Sequence, residues 1–221
     1  MKKKVQRSLL LVVSAPSGAG KTTLCARLLE EFPDMVRSVS CTTRVPRPGE
    51  VNGRDYVFLD SVEFHQRIAA DTFLEYAQVH GASYGTPREP VEQALRAGRD
   101  VLLIIDVQGA ERIRQLLAPS AGGDLRRAFV DVFIMPPDSE TLRRRLVARG
   151  QDDAAEIERR LKNAGVEMAG ASRYQYRIVN DCLEDAVARL RAIVLSEHGR
   201  VKREAPRRQP SGHLPRSGAT W

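Results

Sequence analysis

Short apolar runs alternate with helical periodicities along this chain. Residues 9–14, 101–105, 128–134 and 177–179 read as buried strands, because each is a brief apolar stretch suited to a sheet covered on both faces. Residues 38–41 read as a fifth strand or as part of a side lobe. Residues 22–32, 91–97, 108–117 and 140–149 carry helical spacing. Leu183, Val187, Leu190 and Val194 form a further apolar stripe at helical spacing, which we assign to core packing. This alternation predicts an α/β fold, a parallel sheet with helices on both faces.

Residues 42–85 break the pattern. Pro46, Pro48, Gly49, Asn52 and Gly53 mark turns, and residues 56–59 and 73–79 read as short, mostly antiparallel strands, so a small mixed lobe is expected as an insertion over about 38–95. Asp60 with Glu63 can cap a helix beginning near Val62. Thr86-Pro87-Arg88-Glu89 fits a capping box with Pro at the first helical position, and Gly98 suits the end of that helix. Residues 150–173 carry dense charge on a helical pattern with few large apolar residues, which predicts a weakly packed segment able to move. With the helix before it, this segment forms an expected helical lid over about 140–170.

With 221 residues and 42% hydrophobic content the chain can bury a substantial core. The expected organisation is one domain over 8–199, framed by a basic N-terminal extension (1–7) and a disordered basic tail (200–221) rich in Pro, Gly, Ser and Arg. No apolar run approaches the roughly 18 residues of a membrane span, so a soluble, cytoplasmic protein is expected. Cys25, Cys41 and Cys182 are odd in number and widely spaced, which argues against a disulfide framework or zinc site and for inert thiols. His65, His80, His198 and His213 form no ligand-like cluster. The net charge of +7 resides at the two ends, leaving the segment between them slightly acidic, so the folded domain is not expected to bind nucleic acid.

The strongest local signal is Ser14-Ala15-Pro16-Ser17-Gly18-Ala19-Gly20-Lys21-Thr22-Thr23, placed after an apolar strand and opening a helix. Small residues there let backbone N–H groups wrap a phosphate at a helix N-terminus. Lys21 can reach the β- and γ-phosphates of a nucleotide, and the Thr22 hydroxyl can hold Mg²⁺. The usual pattern begins with Gly where Ala15 stands, a change of one methyl group.

The inserted lobe carries Ser40 and the run Thr42-Thr43-Arg44-Val45-Pro46-Arg47-Pro48-Gly49-Glu50-Val51-Asn52-Gly53-Arg54-Asp55-Tyr56, then Glu75 and Tyr84-Gly85-Thr86. With the phosphate loop, this pattern resembles the guanylate kinase family from about Leu9 to Leu195. The resemblance implies a P-loop kinase that moves the γ-phosphate of ATP onto GMP and probes its acceptor with the lobe. Arg44 and Arg47, with forked guanidinium donors, and the hydroxyls of Tyr56 and Tyr84 would hold the GMP phosphate. Guanine presents N1–H and its 2-amino group as adjacent donors, and one carboxylate can accept both. The resemblance gives that role to Glu75, with Ser40, Thr86 and Asp106 completing the guanine contacts.

It further implies catalytic charge from Lys21, Arg44 and the lid arginines Arg145, Arg149 and Arg160, with Arg143, Arg144 and Arg159 as solvated neighbours. ATP would lie on residues Ala15 to Thr23, with Asn180 near its adenine. Many relatives carry an acid where Ile104 stands, so Thr22 is the only protein ligand expected for the metal. One alternative from another class is a guanylate-kinase-like protein-interaction module that has lost catalysis. Such modules typically lack the loop lysine, whereas Lys21 is present here.

Overall fold

A computed structural model describes residues 8–79, 81–117, 123–148, 150 and 153–200. The N-terminal extension, the tail beyond residue 200, His80, Arg149 and His213 lie outside the described residues.

The central sheet is parallel and five-stranded, in the order β2 (Val36–Arg37), β7 (Val101–Ile104), β1 (Leu10–Ser14), β8 (Phe129–Met135), β9 (Tyr176–Val179). Strand β1 is buried throughout, and alternate side chains serve opposite faces. Leu11 and Val13 pack with Leu24 and Leu28 of α1 (Lys21–Glu31) and with Leu190 and Val194 of α8 (Leu183–Gly199). Leu10 and Val12 pack with Val91 and Ala94 of α3 (Arg88–Arg96) and with Ala110 and Ile113 of α4 (Val107–Leu116). This is the two-sided α/β sheet expected from the apolar runs. The sheet order reverses direction at β1, so the loop after β1 opens at the crevice between outward-going connections, where ligands bind in folds of this class.

A second, mixed sheet runs β4 (Val57–Phe58), β3 (Cys41–Thr42), β6 (Ala82–Pro87), β5 (Phe73–Val79), with β3 and β4 parallel and the other pairs antiparallel. Its small core is Cys41 and Phe73 with Phe64 of α2 (Ser61–Ala69). Asp60 caps α2 by accepting from Glu63 N at 2.7 Å, as its position before that helix predicts. Helices α6 (Ser139–Ala148) and α7 (Ala154–Ala169) meet over Leu142, Leu146, Ile157 and Ala164, a separate small cluster. The short helix α5 (Asp124–Ala128) precedes β8.

Two local expectations are corrected. The stretch 38–41, read as a fifth strand or as part of a side lobe, forms no single strand: Ser38 N still bonds Leu102 O just after β2, the chain then leaves the central sheet, and Cys41 opens β3 in the lobe. Thr86 is not a helix cap, because it remains in β6 and its hydroxyl is spent on Glu75; α3 begins at Arg88, with Pro87 before it and no side-chain cap. Just beyond β7, Asp106 is the N-cap of α4, accepting from Gly109 N at 2.9 Å.

Candidate active site

The loop after β1 is shaped by backbone that only glycine adopts easily. Gly18 and Gly20 have φ of 91° and 85°, and a Cβ on Gly20 would lie 2.4 Å from Nδ2 of Asn180. Asn180, fully enclosed at the end of β9, donates that Nδ2 hydrogen to Ala19 O at 2.8 Å. A Cβ on Gly18 would lie 2.9 Å from Leu142 of α6, so the loop is held from two sides. Its N–H groups open onto the N-terminus of α1, a ready anion cradle. Lys21 leads that helix, and its half-buried side chain donates through the ammonium to Ile105 O at 2.7 Å. Burial lowers the Lys21 pKa, opposed by the nearby Asp106 charge.

A cleft of about 260 Å³ joins this loop to the lobe. Its walls bring together residues 15–23 with Ser40, Tyr56, Glu75, Tyr84 and Asp106, so most residues singled out in the sequence share one space. Glu75 is 6% exposed, and the Thr86 hydroxyl donates to its Oε1 at 2.6 Å. Burial pushes the Glu75 carboxyl up to about 7; the Thr86 bond opposes the shift and the Asp106 charge adds to it. Ile104 and Glu167 also line the cleft.

Arg44 and Arg47 are not among the lining residues. Arg44 spans both oxygens of Glu50 at 2.8 and 2.9 Å and lies over the Tyr56 ring, 5.5 Å from its centroid. The exposed Arg47 gives its backbone N–H to Glu50 at 2.7 Å. Arg44 thereby holds the Glu50 carboxyl below its usual range. From α7, Arg160 reaches the loop, its Nη1 donating to Ser17 Oγ at 3.3 Å and its Nε to Glu156 at 3.0 Å. Arg145 donates from Nη2 to Asn180 O at 3.0 Å, and its Nη1 is buried without a hydrogen-bond partner. Arg143 pairs with Glu158 and Arg159 with Glu156 on the outer surface.

Two residues of evident consequence were given no role by the sequence reading: Glu50, although it lies in the quoted arginine run, and Glu167. Glu50 organises the arginine loop. Glu167 follows Ile157 and Ala164 on the inward face of α7, and an acid continuing an apolar stripe was the available signal. Its carboxyl is raised to about 7 by burial and by Asp106, with Lys21 opposing. Of the thiols, Cys25 and Cys41 are buried, with burial pushing Cys25 up to about 12, while Cys182 is exposed. His198 ties Asp100 at 2.8 Å far from the cleft.

Among the described residues no group of three or more His, Cys, Asp or Glu side chains forms a metal cage. The Thr22 hydroxyl, with the Asp106 and Glu167 carboxylates in the same cleft, suits a hard cation that arrives on phosphates and keeps most of its waters. No helix among the described residues is long and apolar enough to cross a membrane.

The cleft thus presents cationic and N–H donors at one end and a buried carboxylate acceptor at the other. The family model described as guanylate kinase matches residues 7–197. The guanylate kinase of Wolbachia pipientis wMel is 47% identical over 197 residues, covering 89% of this chain and 94% of its own length. That of Methylococcus capsulatus is 48% identical over 201 residues, 91% and 94% of the two chains. A crystal structure of guanylate kinase from Anaplasma phagocytophilum aligns with a TM-score of 0.72 at 35% identity, over 88% of each chain.

Proposed function

The chain belongs to the guanylate kinase family, and from that premise we propose that it transfers the γ-phosphate of ATP reversibly to GMP, and to dGMP, in the cytoplasm. The observation that carries this reading is the single cleft shared by the phosphate loop and the buried Glu75. The lobe over about 38–95 holds the acceptor, and the segment over about 140–170 closes as the lid. The relatives that match along most of the chain are enzymes by name, and Lys21 is in place, which favours catalysis over a non-catalytic interaction module.

Transfer between two phosphates asks little covalent chemistry of the protein and much alignment and charge neutralisation. Residues 15–23 hold the ATP phosphates through backbone N–H groups, and Lys21 moves from Ile105 O to the β- and γ-oxygens. Asn180 fixes the loop from below and borders the adenine. Arg44, which lies over Tyr56, and Arg47, whose loop Glu50 also holds, receive the GMP phosphate together with the Tyr56 and Tyr84 hydroxyls. Glu75 accepts from guanine N1–H and the 2-amino group, while Ser40, Thr86 and Asp106 complete the pocket. Arg145, Arg149 and Arg160 bring positive charge onto the transferring group when the lid closes. The Thr22 hydroxyl would hold Mg²⁺, which would supply charge neutralisation at the phosphates.

A coupled assay of ADP release with ATP, Mg²⁺ and each of GMP, dGMP, AMP, CMP and UMP tests the reading. Turnover with GMP and dGMP is expected. Turnover with AMP in preference to GMP, or with no acceptor, overturns it.

A further inference from the structure

Glu75 is gripped from two sides. On one, Thr86 donates to Oε1 at 2.6 Å. On the other lies the first turn of α4, where Gly109 has no side chain. A Cβ there would stand 2.7 Å from Glu75 Oε2, 3.1 Å from its Cδ and 3.3 Å from Asp106 Oδ1. Real Cβ atoms do not sit that close to an oxygen, so any larger residue at 109 forces a movement. The backbone of α4 cannot yield cheaply, since Gly109 N is bonded to the Asp106 cap and Ala110 and Ile113 are packed in the core. The end of the Glu75 side chain is the soft partner, and it must turn away.

Nothing in the backbone asks for glycine here. Gly109 is helical and is not among the residues with positive φ. Glycine in a helix costs stability relative to alanine through backbone entropy. A position that carries that cost without conformational need has another reason to stay bare.

We propose that Gly109 is a specificity-positioning residue: its missing side chain is the floor that lets the Glu75 carboxylate lie against α4 in the one pose able to face both donors of a guanine. Gly109 touches no substrate; it acts through Glu75. The proposal rests on the guanine-reading role given to Glu75 above. Adding one methyl group at 109 shifts Oε2 within a site whose other oxygen is pinned by Thr86, so the two acceptors no longer match N1–H and the 2-amino group together. Geometry of this kind is sensitive, because displacements near 1 Å cost on the order of 10²-fold.

The test compares Gly109→Ala, Glu75→Ala and the double variant by initial rates with GMP, inosine monophosphate and ATP, and by thermal unfolding. Inosine monophosphate keeps N1–H and lacks the 2-amino group. Gly109→Ala is expected to unfold at the same or a higher temperature, to keep its KM for ATP, to raise KM for GMP roughly ten-fold or more, and to reduce the preference for GMP over inosine monophosphate. In the Glu75→Ala background the same change should move neither KM nor preference. If Gly109→Ala lowers stability, the double variant should recover it, since the clash is with Glu75. An unchanged KM for GMP in Gly109→Ala, an equal loss in both backgrounds, or a stability loss that persists without Glu75 overturns the proposal. If Glu75→Ala itself leaves the preference for GMP intact, the guanine-reading role falls and the Gly109 role with it. A Glu75 effect without a Gly109 effect removes the second alone.

Discussion

Thr86 gives its hydroxyl hydrogen to Oε1 of Glu75 across the lobe sheet, where the two residues face each other in the register of β6 and β5. Both side chains are buried, Thr86 completely. A carboxylate that is only 6% exposed has few donors within reach, and Thr86 supplies one of them. The bond also selects a rotamer: with Oε1 anchored, Oε2 is directed toward Gly109 and the neighbouring Asp106.

Thr86→Val keeps the side-chain shape and removes the donor. The orphaned acceptor should cost about 1–3 kcal/mol if Glu75 stays charged. The site escapes part of that cost by holding its proton more tightly, so the loss is expected mainly in substrate recognition. KM for GMP should rise roughly five- to fifty-fold, with KM for ATP unchanged. Initial-rate kinetics with each substrate varied check this, and an equal rise in both KM values would assign Thr86 to general lobe stability.

The elevated Glu75 carboxyl predicts two pH dependences of opposite sense. Guanine donors require the charged form, so kcat/KM for GMP should rise as pH increases through about 7 and then level. The second proton of the GMP phosphate leaves near pH 6 and adds a lower inflection that Glu75→Gln will retain. Only the upper inflection should vanish in that variant. For the free protein the sign reverses. Its folded pKa lies above the ordinary 4.5, so the folded chain binds the proton more tightly, and that stabilisation is complete below 4.5 and lost as pH rises through about 7. The fully developed effect is of the order of 3 kcal/mol, and Glu167, shifted in the same direction, adds to it. Unfolding temperatures of the free protein should therefore fall between pH 5 and 8, less steeply in Glu75→Gln. A flat profile for the parent would mean that Glu75 is charged throughout this range.

The central sheet was legible because a strand covered on both faces must be almost wholly apolar, as 9–14 and 101–105 are. Strand β2 was not, since two half-buried residues, Val36 and Arg37, are made a strand only by their neighbour β7. The phosphate loop was legible for the opposite reason, being local chemistry fixed by adjacent residues. Its brace was invisible: Asn180 stands 161 positions from Ala19. Thr86 shows why short motifs mislead. Thr-Pro-Arg-Glu satisfies the spacing of a capping box, but pairing with β5 holds Thr86 extended and Glu75 claims its hydroxyl. The lobe residues were found by resemblance, whereas the packing of Glu75 against a bare helix turn depends on α4 and β5 meeting in space, which no local pattern records.

Lys21 separates stability from function most sharply. Its ammonium rests on a main-chain oxygen at the cleft wall, and partial loss of water lowers its pKa, so the charge is held at some cost to folding. Lys21→Met preserves length and apolar bulk. It removes that desolvation cost, leaves Ile105 O without its donor, and withdraws the positive charge that opposes the rise in Glu167. A hydrogen bond from a charged donor contributes about 1.5–3 kcal/mol net, which is of the same order as the cost of partly desolvating an ammonium at a cleft wall. The two effects offset, and the free variant should unfold near the parent's temperature. Turnover should nevertheless fall roughly 10³-fold or more, as when a preorganised donor to a developing charge is lost. Thermal unfolding without nucleotide and single-turnover rates with saturating ATP and GMP check the pair of outcomes. A variant that loses activity only because it unfolds would make Lys21 a structural residue, and one that stays folded and active would remove it from phosphoryl transfer.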